Sequence, residues 1–295
     1  MPDVNSRQLA AVAAVAEYRS FISAAAHLQM SQPALTLSIK RLERTLGVQL
    51  FMRTTRQVTL TAVGREFVAM AERVLNDLRL GMRSVQELGC RERGQVIVSS
   101  LIPVRMSDVI AEYSRRFPGI EIELREGFHD DVHDDVRSGV ADFGIGYLGD
   151  VPSALVTESL RSETLCVVLR NDHPLARKRQ IEFKALKDVT LVSLPLRSRA
   201  RRLIDAAATA AGFALRHAVT VALPVTLLGL VRSGVGVAVV PVAPPPWRAL
   251  ASLVSRPLVR PSLCSEIGSL RLRDRELSPA ATGLLALTRE RLRGD

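Results

Sequence analysis

Residues 30–47 read MSQPALTLSIKRLERTLG. Leu35, Ile39, Leu42 and Leu46 stand at i, i+4, i+7 and i+11, the repeat that lays one narrow apolar stripe along an α-helix. Ser31 is a good N-cap, Pro33 suits the first helical turn, and Gly47 just past the last apolar residue is a stop signal. The spacing therefore predicts a helix over 32–46. With Leu35 at the centre of the buried side, the rotation per residue puts Pro33, Thr36, Leu37, Lys40 and Arg44 on the opposite side. Gln32 is left at the open end.

Two shorter helical patterns precede it. One runs from about Ser6 with Leu9, Val12, Ala13 and Ala16 on a face, and one surrounds Ala24, Ala25 and Leu28 after Phe21. The small side chains of Ala24, Ala25 and Ala26 let the second helix approach the third at the steep angle of a helix-turn-helix. After Gly47, VQLFMRTTRQVTLT is rich in β-branched residues and reads as a two-stranded wing carrying Arg53 and Arg56. From Thr61 the helical repeat returns through Phe67, Met70, Val74, Leu78, Met82, Val85 and Leu88. A stripe that long exceeds what a sixty-residue head can cover, so the expected partner is the same helix of a second copy.

Beyond a polar break at 90–94 the pattern alternates strand and helix. QVIVSS, IEIEL and ADFGIGY are strands separated by helices, the first stopped by Pro118-Gly119. A second series from about Leu165 to Arg260 contains LCVVL, TLVSL, HAVTV and GVAVVP. Both series read as βαβ units with parallel sheets. IGSLRLR and a helix opened by Ser278-Pro279 then return to the first series. The expected fold is α/β with two lobes joined by crossing strands, enclosing a cleft beyond the strand ends.

The chain has 295 residues and a net charge of +10, unevenly spread. Residues 94–160 hold 5 Lys/Arg against 12 Asp/Glu, whereas 161–295 hold 22 against 10. Bulk charge therefore does not single out the helical head, and a motif must. The longest apolar run, Val235 to Pro246, is too short to span a bilayer, and the N-terminus lacks a secretory pattern, so a cytoplasmic location is expected. Cys90, Cys166 and Cys264 are unpaired in spacing and read as reduced thiols.

AAAHLQMSQPALTLSIKRLERTLGVQLFMRTTRQVTLTAVG closely resembles the winged helix-turn-helix of LysR-type bacterial transcriptional regulators. FPGIEIEL, GVADFGIG, NDHPLA and GVGVAVVP resemble phrases of that family's effector domain, in its order. The resemblance covers nearly the whole chain. It implies an N-terminal winged helix-turn-helix (1–61), a long linker and dimerisation helix (62–91), and a periplasmic-binding-protein-like effector domain (92–295). That domain would divide into one α/β subdomain of 92–163 with 265–295 and a second of 164–264. It further implies a non-enzymatic regulator without cofactor, usually a homotetramer, whose partners are promoter DNA, a small effector and RNA polymerase.

On that resemblance Gln32, Pro33 and Thr36 fall where family members touch bases or phosphates, and Arg53 where the wing meets the backbone. Gln32 can read adenine by paired hydrogen bonds, Ser31 and Lys40 suit phosphates, and Arg56 adds charge to the wing. Leu37 replaces a residue that is often polar in the family and offers only apolar contact, for instance to a thymine methyl. Effector contacts are implied at Ser99, Ser100 and Leu101, at Phe128, at Gly146 and Tyr147, and at Ser193 and Pro195. Ser99-Ser100-Leu101 also leads into a helix whose free N–H groups would favour a carboxylate or aromatic acid. Phe128, standing where a small polar residue is common, points to a more apolar ligand.

His129 and His133 at i, i+4 beside Asp130, Asp131, Asp134 and Asp135 could hold a metal, giving a metal-responsive regulator as an alternative. A pair of histidines lacks the usual three or four ligands, and acids opening a short helix also satisfy its dipole, so no metal is expected. The glycine pairs form no dinucleotide fingerprint, and no Ser/His/Asp set can be assembled from spacing alone. A stand-alone solute-binding protein remains the rival from another class.

Overall fold

In the computed structural model, which describes residues 4–53, 58–89, 94–149, 151–241 and 252–294, each helix of the head starts on a side-chain cap. Helix α1 (Ser6–Tyr18) opens on a reciprocal box in which Asn5 and Gln8 satisfy each other's backbone N–H groups. Ser20 caps α2 (Phe21–His27), and Ser31 accepts from Ala34 N at 3.4 Å to start α3 (Gln32–Leu46). Gly47 ends α3 with φ +70°, a left-handed turn that glycine adopts without steric cost. Leu35, Ile39 and Leu42 are fully buried against Val12, Val15, Ala24 and Ala25.

The wing is β1 (Phe51–Arg53) paired antiparallel with β2 (Val58–Leu60). Glu43 of α3 ties it down, accepting from Leu50 N at 2.8 Å and Phe51 N at 3.3 Å. Thr61 caps the next helix through Gly64 N, and Gly64 itself lies so close to the wing that a Cβ there would sit 2.0 Å from Leu50 O. Helix α4 (Ala62–Gly89) follows for 28 residues, about 42 Å at the α-helical rise. Its stripe leaves the head's core after Met70. Val74, Leu78 and Met82 are exposed, Leu78 by 51 % and Met82 by 59 %.

The elements through α4 form one compact unit and those from β3 on form another. The second unit begins with β3 (Gly94–Ser100), α5 (Pro103–Arg116), β4 (Ile120–Glu126), α6 (His129–Arg137) and β5 (Phe143–Tyr147). The 16-residue strand β6 (Leu155–Arg170) then leads to β7 (Ile181–Glu182), β8 (Thr190–Ser193), α7 (Arg199–Ala210), β9 (Arg216–Thr220), α8 (Pro224–Arg232) and β10 (Ala238–Pro241). Strands β11 (Leu253–Val259) and β12 (Cys264–Leu272) and helix α9 (Pro279–Gly294) complete it.

The main sheet runs β4-β3-β5-β12-β6-β11-β7, with β10 also on β6. Parallel pairing holds for β4-β3-β5 and, in a separate two-stranded sheet, for β8-β9. The expectation of parallel sheets is corrected by β12, β6 and β10, which meet their neighbours antiparallel, and by β11, which is antiparallel to β6 and parallel to β7. The cause is the crossing connection. Strand β6 pairs with β12 over its first half and with β10 and β11 over its second, so one strand belongs to both lobes. The first lobe packs Val96, Val98, Met106, Phe143 and Ile145 against Leu284 and Leu285 of α9. The second packs Leu165, Val167, Leu169, Phe183 and Leu191 against Ile204 of α7. Buried Cys166 lies in β6, its thiol pushed up by burial, as expected of a packing residue.

Candidate functional site

The outward side of α3 collects the residues the sequence singles out. Ser31, Gln32, Pro33, Leu37 and Lys40 are exposed and Thr36 half-buried, while Leu35, Ile39 and Leu42 on the opposite side are fully buried. Leu37, 47 % exposed, is the apolar exception. Arg53 closes β1 opposite Val58, whereas Arg56 lies outside the described residues. The result is a rigid helix face, fixed from behind by the apolar stripe and from its C-terminal end by Glu43. It presents an amide, a hydroxyl and an ammonium on successive turns.

The residues expected to contact an effector lie at or just beyond the C-terminal ends of β3, β4, β5 and β8. Strand alternation sends the two serines to opposite sides. Ser99 donates to Asp135 of α6 at 2.9 Å, and Ser100 accepts from Ile102 N at 3.1 Å. The expected row of free N–H groups at the start of α5 is corrected in part. Pro103 has none to give, and those of Arg105 and Met106 already bond Ile102 O. Leu101 and Phe128 are half-buried, and Gly146 and Tyr147 buried.

Residues that sequence reading missed complete the cleft. Arg197, just ahead of α7, pairs with Asp131 and lies 4.6 Å over the Phe128 ring. Arg199 lies 5.7 Å over Tyr147. Their only signal in the sequence is the arginine run 197–202 at a helix start. Beside them the His129 and His133 rings lie tilted at 52° to each other with centroids 4.0 Å apart, and His133 Nε2 donates to Tyr147 O at 3.3 Å. Among the described residues no group of three or more His, Cys, Asp or Glu side chains is placed to hold a metal.

The structure does assemble a Ser/His/Asp set, which spacing alone does not reveal. Ser193 Oγ lies 2.6 Å from His217 Nδ1, and His217 Nε2 lies 2.9 Å from Asp205 Oδ1. Its members come from β8, β9 and α7, and only the parallel pairing of β8 with β9 brings them together. Ser193 is buried, and Asp205 is also held by Arg201 Nε at 2.6 Å. Burial and the Arg201 cation hold His217 below its ordinary range, so the neutral ring donates from Nε2 to Asp205 and accepts the Ser193 hydroxyl. The set binds β8, β9 and α7 together and fixes the loop that carries Pro195.

Deeper still, Arg105 of α5 pairs with Glu163 of β6 at 3.1 Å, their side chains 6 % and 2 % exposed, and Arg161 Nε lies 3.5 Å from the same carboxylate. Burial raises Glu163 while the two guanidiniums oppose the shift. Tyr147 is pushed up by burial and by Glu163, with Arg199 opposing.

The histidines carry a pH dependence. Burial first, then His133, Arg199 and Arg202 against Asp130, lowers His129; burial lowers His133 against Tyr147 O, Asp130 and Asp134. In the unfolded chain both return to about 6.5. Stability is therefore full above that value and is lost as pH falls through it towards the lower folded values. Melting between about pH 7.5 and about pH 5.5 should show a drop that shrinks in His129→Gln/His133→Gln, His217 keeping the remainder.

Comparison with known proteins identifies the two domains. Residues 6–65 match the profile described as "Bacterial regulatory helix-turn-helix protein, lysR family", and residues 96–293 match "LysR substrate binding domain". The chain is 31 % identical to the uncharacterized HTH-type transcriptional regulator YbhD of Escherichia coli (strain K12), over 92 % of this chain and 87 % of that one. It is 32 % identical to YfeR of Shigella flexneri, also described as an uncharacterized HTH-type transcriptional regulator, over 96 % and 93 %. The fold matches that of a full-length OxyR variant from Pseudomonas aeruginosa with a TM-score of 0.67 at 24 % identity, covering 98 % of this chain and 95 % of that one.

Proposed function

Because the chain belongs to the LysR family of DNA-binding bacterial transcriptional regulators with an effector-binding domain, we propose that α3 reads a promoter operator and that a small anion in the cleft sets the outcome. The observation that carries the first half is the two-sided α3. Its back buries Leu35, Ile39 and Leu42 fully, and its front exposes Gln32, Pro33 and Lys40 beside half-buried Thr36. Gln32 and Thr36 face bases, Leu37 a thymine methyl, and Ser31, Lys40, Arg53 and Arg56 the phosphates.

The head comprises 1–61, the helix 62–91 pairs two copies, and two such dimers form a tetramer in the cytoplasm. The effector domain, 92–295, divides into 92–163 with 265–295 and 164–264, and takes a carboxylate or aromatic acid between them. Ser100, Leu101, Phe128, Gly146, Tyr147 and the Ser193–Pro195 loop line that cleft. Ser99 acts behind it through Asp135. The role is regulatory and not catalytic: closure on the effector shifts the arrangement of the paired heads, the DNA bend and the contact with RNA polymerase.

Selection of duplexes from a random pool by the full chain tests this. Two related half-sites about one helical turn, or a multiple of it, apart are expected. In Gln32→Ala, base preference should relax at one position per half-site, by about 1–3 kcal/mol. An unchanged consensus in the variant would remove Gln32 from base reading.

A further inference from the structure

Four arginines stand between residues 197 and 202, and two of them hold the loop itself. Arg201 bonds Asp205 and, at 3.3 Å, Leu194 O; Arg202 Nη1 donates to Arg197 O at 3.2 Å. The other two reach the opposite lobe. Arg197 is occupied by Asp131, whose carboxylate also accepts from Phe128 N at 2.9 Å. Arg199 is different. Among the described residues no carboxylate pairs with it, and its Nε is buried without an acceptor. Its guanidinium lies over Tyr147 and against Gly149, where a Cβ would sit 2.5 Å from Nη1. His129, 6 % exposed, lies within its field, with a buried Nδ1 that has no partner. A guanidinium partly stripped of water, seated on an aromatic face and lacking a counter-ion, is completed by an acceptor from outside the chain.

We infer that Arg199, with His129 and Tyr147 beside it, is the anion-recognition point of the cleft, and that Asp131 occupies Arg197 until a carboxylate with a flat apolar body exchanges with it. The inference rests on the reading of the cleft as the effector site and names the group of the effector that is held. Arg197 and Arg199 sit two residues apart, one just ahead of α7 and one at its first position, so a bound carboxylate can be shared between them once Asp131 lets go. The rings of Phe128 and Tyr147 would receive the apolar body.

Sodium benzoate is the probe, titrated calorimetrically into the full chain. Asp131→Asn frees Arg197 and should bind benzoate about tenfold more tightly than the wild type. Adding Arg199→Gln to that variant should weaken binding at least about tenfold, with Arg199→Lys between. Gly149→Ala, which displaces the guanidinium without removing its charge, should weaken it too. Circular dichroism confirms that each variant is folded. Equal affinities with and without Arg199, or no binding by Asp131→Asn at tens of millimolar, would overturn the inference. If benzoate binds through Arg199 yet leaves operator binding unchanged, the anion site stands and the effector reading fails. If benzoate alters operator binding equally in Arg199→Gln, the reading stands and Arg199 is not the recognition point.

Discussion

Arg105→Met is expected to destabilise the effector domain by about 3–5 kcal/mol in urea titrations. The expectation follows from burial. Removing the Arg105 guanidinium leaves the Glu163 carboxylate in a site almost without water, with Arg161 at 3.5 Å as its remaining cationic partner among the described residues. Glu163 is already raised by burial, and without Arg105 it rises further. A carboxyl whose folded value lies above its unfolded one favours folding at low pH and loses that contribution as pH rises through the folded value. The loss in Arg105→Met should therefore be larger at about pH 8 than at about pH 5.5. Arg105→Met/Glu163→Leu should recover most of the stability, because two apolar side chains of similar volume need no hydration. A single variant within about 0.5 kcal/mol of the wild type would show that water reaches the pair.

The second large effect is expected on α4. Leu78→Glu/Met82→Glu puts two carboxylates on the exposed stripe, where a second copy would bury them unpaired. Sedimentation should show the dimer gone while the helical signal persists, since both positions already face solvent in the single chain. Operator affinity should then fall by about 10²–10⁴, the gain that linking two heads confers without any new contact to DNA. A variant that sediments and binds as the wild type would place the dimer seam elsewhere.

The head is legible in the sequence because its determinants are local. Asn5 with Gln8, Ser31 with Ala34 and Gly47 after Leu46 each act within one helical turn, and the burial of Leu35, Ile39 and Leu42 follows from spacing. The cleft is legible only in outline, because its polar partners are distant in sequence. Arg197 finds Asp131 across 66 residues, Arg105 finds Glu163 across the crossing strand, and Ser193 meets His217 only when β8 pairs with β9. Spacing carries no trace of such pairs. Two strand segments were hidden for a different reason. Pro257 breaks the strand pattern of β11, which tolerates it opposite Cys166, and the first half of β6 is rich in polar residues because it crosses between lobes.

The outward face of α3 as the DNA reader is tested most directly by the salt dependence of operator binding in the wild type, Lys40→Ala and Gln32→Ala. Lys40→Ala should lower affinity for every sequence and reduce the slope of log affinity against log salt by about one, the loss of a single phosphate contact. Gln32→Ala should keep the wild-type slope while losing discrimination against the wrong base. Identical slopes and identical preferences in all three proteins would contradict the assignment of that face to DNA.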